Sequence, residues 1–201
     1  MPYLDFLIYI SSNILKKIHS SILMSPLWRG IFTISAGTVF AQLITIIASP
    51  LLTRLYTPYD FGIMALFSAV LSILIVIGSL RYEFAIPLPQ KDSDAAQITL
   101  LCIGLLIGIS VFSLIFMFFF SQNIISFFKL EMISQYLWLL PIGLIGAGIY
   151  NIFNYWAIRK RDYSRITYTK INQSLAGSIS KITMGFYHFG PLGLIIGEIL
   201  S

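Results

Sequence analysis

Residues 49–62 read SPLLTRLYTPYDFG, a short polar interruption between two long apolar runs. Thr57 has the hydroxyl that caps a helix, Pro58 suits the first helical position, and Asp60 places a negative charge at the helix N-terminus. Arg54 stands where a cation favours the end of the preceding helix. The stretch predicts a tight helix–turn–helix. Whether that hairpin sits in water or in lipid depends on what flanks it.

Composition decides for lipid. Of 201 residues, 57% are apolar and only 10% are charged, with a mean hydropathy of +0.86. A soluble domain carries about 25% charged residues, so this chain cannot cover a water-facing surface. Its apolar runs approach the ~20 residues that cross a bilayer core. The predicted fold is an all-α polytopic membrane protein. The single Cys102 excludes an intramolecular disulfide framework and a cysteine metal cluster. No cofactor or metal is expected.

Spans are predicted at about 30–52, 61–80, 95–120, 136–158 and 171–189, the fifth being more polar. GPLGLIIGEILS (190–201) begins a sixth that covers about half a bilayer at ~1.5 Å per residue. Residues 1–28 form a separate segment, in which LDFLIYISSNILKKIHSSIL (4–23) places Leu7, Ile14, Ile18 and Ile22 on one side. That pattern predicts an amphipathic helix on the membrane surface rather than a signal peptide. Residues 29–201 form the membrane bundle.

Basic residues orient it. The segments before the first span, between the second and third, and between the fourth and fifth hold ten Lys and Arg; the alternate loops hold Arg54 and Lys129. That asymmetry predicts a cytoplasmic N-terminus. Trp28, Tyr82, Tyr155 and Trp156 would mark the cytoplasmic interface, and Tyr56, Tyr59, Tyr136 and Trp138 the other. The run RKRDYSRITYTK (159–170) serves the same topology and can attract anionic lipid headgroups. Nucleic acid is not an expected partner.

Two helices carry polar stripes. Ser35, Thr38, Gln42, Thr45 and Ser49 recur every three or four residues in the first span. In lipid such a face turns toward protein or water. A helix–helix contact and a lumen wall both fit, and the size of Gln42 favours the lumen. In the fifth span Lys170, Ser174, Gly177, Lys181 and His188 share a face opposite Ile171, Leu175, Ile179, Ile182 and Phe186. Lys181 falls near mid-span, where it either snorkels to an interface or faces a water-filled cavity. His188 has no ligand-spaced partners and reads as an interfacial residue. Glu198 suits a cation partner or ion coupling.

Gly143 and Ala147 predict close packing in the fourth span, with Tyr150 or Asn151, and then Asn154, farther along the same face as polar contacts or helix–helix bonds. Gly104 and Gly108 predict packing in the third. Pro50 and Pro141 are potential kinks. No phosphate-cradling loop, Ser–His–Asp set or paired carboxylates within a span point to catalysis.

LTRLYTPYDFG (52–62), LRYEFAIPLP (80–89), YWAIRKRDYSRI (155–166) and GPLGLIIGEIL (190–200) fall in an order that resembles the polysaccharide biosynthesis membrane proteins. These include the O-antigen and capsule flippases, within the superfamily that also holds the multidrug and toxin extruders. The resemblance runs from about Arg29 to Glu198. It implies the N-terminal bundle of a two-bundle transporter, with about five complete spans and a partial sixth. It implies movement of an undecaprenyl-diphosphate-linked oligosaccharide across the cytoplasmic membrane, with membrane lipid and other polysaccharide assembly proteins as partners. Lys181, Arg29 and Arg81 become candidate anion contacts; Gln42, Asn151 and Asn154 become candidate sugar contacts, with Ser174 on the lumen face. A multidrug-type exporter, a truncated non-transporting remnant and, least favoured, a membrane polysaccharide polymerase are the alternatives. The outer loops are short for a polymerase, so no enzyme activity is expected.

Overall fold

The computed structural model describes residues 26–78, 80–128 and 131–201. These form six α-helices: α1 Pro26–Leu55, α2 Pro58–Gly78, α3 Asp92–Phe128, α4 Leu140–Arg159, α5 Tyr163–Phe186 and α6 Pro191–Ile199. Short 3₁₀ segments at Tyr82–Ala85 and Glu131–Leu139 lead into α3 and α4. The predicted surface helix of the N-terminal segment lies outside the described residues.

The α1–α2 turn forms as the local chemistry requires. The backbone N–H and the hydroxyl of Thr57 each donate to Asp60 Oδ2 at 2.8 Å, and the Asp60 N–H donates back to Thr57 Oγ1 at 3.3 Å. This reciprocal arrangement satisfies two otherwise orphaned donors. A cap of this kind contributes about 1 kcal/mol.

Four helical stretches among the described residues are long and apolar enough to cross a membrane: Gly30–Leu55, Pro58–Gly78, Asp92–Phe119 and Met132–Arg159. The chain is an all-α polytopic membrane protein with fewer such spans than its sequence suggests. The predicted fifth span is the difference. α5 has 24 residues, enough length at ~1.5 Å each, but its polar residues keep it out of that class. It also begins eight residues earlier than predicted, because Asp162 caps it by accepting from the Arg165 N–H at 3.1 Å. Pro141 produces no kink: the helix starts beside it, and it occupies the first turn of α4. Pro50 lies inside α1 without ending it.

Two cores hold the bundle. The larger joins α2, α3 and α4 through Phe67, Leu71, Cys102, Leu106, Leu144 and Ile152, with Ile195 of α6 added. The smaller joins the end of α1 to α6 through Ala48, Leu52, Tyr56 and Leu194. α1 packs chiefly on α5, and α5 on α6. Outward-facing Ile47, Ile73, Phe118 and Phe119 are exposed, as a hydrocarbon surround permits and water would penalise. Gly143 packs on Leu71 as its spacing suggests. Gly104 and Gly108 do not behave that way: a Cβ at either would meet nothing within 4 Å. They lie on the outside of α3.

Arg159 locks one end. Its side chain, 8% exposed, lies 3.0 Å from Asp92 Oδ1 and also donates to the Pro89 carbonyl. The α2–α3 connection is thereby fastened to the end of α4. At the opposite end Tyr59, Asp60, Gln135, Tyr136 and Pro191 line a cavity of about 300 Å³. Alternate loops thus gather at opposite ends, as a bundle of antiparallel membrane helices requires.

Candidate functional site

The α1–α5 seam is built from hydroxyls. Thr167 donates to the Thr33 carbonyl at 3.0 Å, Lys170 Nζ to Thr38 Oγ1 at 3.1 Å, and Ser174 to the Ala41 carbonyl at 2.6 Å. Thr45 and Ser174 lie 3.2 Å apart. The two polar stripes therefore face each other. Close approach is possible because Gly30 lies under the Tyr163 ring and Gly37 beside Thr167.

Beside this seam opens a cavity of about 450 Å³. Its polar wall includes Gln42, Thr45, Lys170, Gln173, Ser174 and Lys181, with Glu198 of α6 and Tyr150 of α4 closing it. The first-span stripe serves both readings at once: Thr38 and Thr45 bond across the seam and also line the cavity.

Lys181 is held from two sides. Its Nζ lies 2.7 Å from Glu198 Oε2. Its carbonyl accepts from the Tyr56 hydroxyl at 2.7 Å. Tyr56 is 4% exposed; its ring packs against Gly185 and its hydroxyl end against Gly193. α5 and α6 cross glycine to glycine. A Cβ on Gly177 would fall 2.8 Å from the Gly197 carbonyl oxygen, and one on Gly197 would fall 2.9 Å from that of Gly177. No side chain fits at either position, and this contact brings Lys181 and Glu198 together. The α5–α6 connection turns at Gly190, where φ is 60° and ψ is −143°, a region open essentially to glycine alone.

Of the sequence-based candidates, the structure brings Lys181, Gln42 and Ser174 to one cavity. Asn154 lines a separate pocket of about 70 Å³ with Arg165 and Thr169. Asn151 lines neither of them. Arg81 lies over the Phe84 ring at 5.3 Å, in the α2–α3 connection and away from the cavity. The side chain of Arg29 lies outside the described residues. Gln173 and Ser178 join the cavity without having been singled out, and Tyr150, from the fourth-span face, joins it in place of Asn151. Gln173 and Ser178 flank the Lys170–Ser174–Lys181 face and could have been found by widening it.

The described residues thus form a helical membrane bundle with a cavity lined by hydroxyls, amides and an ion pair. Residues 51–201 match the profile of a family described as polysaccharide biosynthesis protein, and the chain belongs to that family. No match was found among curated proteins or among solved structures.

Proposed function

We propose that the protein carrying this chain moves a lipid-linked oligosaccharide from the cytoplasmic to the outer leaflet of the bacterial inner membrane. One observation carries the reading: a family member in polysaccharide biosynthesis keeps a 450 Å³ cavity lined by ionised and hydroxylic side chains inside a lipid-facing bundle. Amides and hydroxyls match sugar hydroxyls, ammonium groups match phosphate, and the lipid tail remains in the bilayer. Rocking of this bundle against a second one would expose the cavity to each side in turn. The role is transport without covalent chemistry. A cation exporter would need an acid free to meet its cargo, whereas Glu198 is engaged by Lys181.

Expression in a flippase-deficient host should restore surface polysaccharide. Lys181→Gln should lower that rescue at unchanged membrane abundance, and Lys181→Arg should keep part of it. No rescue by the wild-type protein at normal abundance would remove the transport reading.

Orientation has its own test. In a Cys102→Ser background, Tyr59→Cys should react with a membrane-impermeant maleimide in intact cells, while Gln90→Cys and Ser164→Cys should not. Labelling at position 164 from outside would invert the topology.

A further inference from the structure

The three ionised groups of the cavity are not equivalent. Lys181 is matched by Glu198 at 2.7 Å. Lys170 donates to the Thr38 hydroxyl at 3.1 Å, and Thr38 in turn donates to the Ile34 carbonyl at 2.8 Å. No carboxylate among the described residues is in ion-pair range of Lys170. A hydroxyl orients an ammonium but leaves its charge intact. The cavity's net positive charge is therefore localised at position 170, one end of its polar wall. Positions 170 and 181 are roughly 16 Å apart along the helix. Between them lie Ser174, Gln173 and Ser178, with Gln42 and Thr45 across from them, all without charge.

We infer that Lys170 is the anion-binding residue of the cavity and that Glu198 withholds Lys181 from the anion. This rests on the reading of the cavity as the path of a phosphate-bearing glycan. A phosphate or diphosphate docks at Lys170, close to the end where Arg159 meets Asp92. The neutral sugar portion lies along the hydroxyls and amides toward the Lys181–Glu198 pair. That pair offers sugar hydroxyls an ammonium donor and a carboxylate acceptor while presenting no net charge. Charge placement thus orients the occupant: anion at one end, polyol at the other.

The test is calorimetric titration of inorganic pyrophosphate into the full protein in detergent micelles, each variant being checked for an unchanged thermal transition. Lys170→Gln should weaken binding about tenfold, the loss of one charge-assisted contact, and Lys170→Arg should restore most of it. Glu198→Gln should tighten binding several-fold, since it releases a second ammonium. Adding Lys181→Gln to Glu198→Gln should abolish that gain. Unchanged affinity in Lys170→Gln, or no gain in Glu198→Gln, would overturn the assignment while leaving an anion-accepting cavity. Should Lys170→Gln fail to fold, the Lys170→Arg and Glu198→Gln arms still decide. Absence of pyrophosphate binding in both wild type and Glu198→Gln would overturn the underlying reading as well. A parallel titration with a short prenyl diphosphate separates sources of the phosphate. Tighter binding than pyrophosphate supports a lipid-linked ligand, and equal binding overturns the lipid-linked part of the reading while leaving Lys170 in place.

Discussion

Gly177→Leu should destabilise the purified protein by more than about 3 kcal/mol, seen as a large fall in its melting temperature in detergent. Helix propensity alone predicts the opposite sign, because leucine favours a helix interior over glycine by about 0.8 kcal/mol. Packing outweighs it. Even a Cβ at this position would lie 2.8 Å from the Gly197 carbonyl oxygen and 2.7 Å from Ser201 Cβ. Backbone cannot rotate aside as a side-chain tip can, so α5 and α6 must separate, and the Lys181–Glu198 pair would be drawn apart with them. Gly104→Leu is the control: its Cβ would meet nothing within 4 Å. That variant should melt at or slightly above the wild-type temperature. Equal melting of the two variants would refute the crossing contact.

Arg159→Met should bring the second large loss. The Arg159 side chain is 8% exposed, and besides Asp92 its guanidinium reaches the carbonyls of Pro89 and, at 3.5 Å, Ile86 and Gln90. Methionine fills much of the volume but strands the part-buried Pro89 and Ile86 carbonyls, at roughly 2–3 kcal/mol in total. Lys160 also meets Asp92, at 2.5 Å, but its side chain is 46% exposed. Water can take over its role, so Lys160→Met should leave stability nearly unchanged. Thermal melts of the two variants check the contrast. If both fall alike, the carbonyl contacts of Arg159 contribute nothing.

These two sites also show what a sequence discloses. The Thr57–Asp60 cap was legible because its chemistry is complete within four residues. The seam was legible because Thr38, Thr45, Lys170 and Ser174 recur at helical spacing, and a polar stripe in lipid has to face something. Partners were not legible. Gly104 and Gly108 have the same small-residue spacing that suits helix contacts, yet the contact belongs to Gly177 and Gly197, twenty positions apart on different helices. Arg159 was hidden in a basic run whose summed charge explains orientation without giving any member a separate role. Tyr56 stood where an interfacial aromatic would stand, and its partners, the Lys181 carbonyl 125 positions away and Gly185 and Gly193, are all distant in sequence. Asn151 and Asn154 share a helical face with Gly143 and Ala147, but a face pattern does not say where a cavity stops.

The Lys181–Glu198 pair imposes an order on biogenesis. The two residues are 17 positions apart, and a ribosome adding about 5–20 residues per second needs about one to three seconds to cover that distance. Throughout that interval the ammonium has emerged without its counter-ion. α5 is too polar to qualify as a span on its own composition, so nothing in it favours early release into lipid. The expected consequence is that α5 and α6 enter the membrane as a hairpin, with the ammonium and its counter-ion already paired.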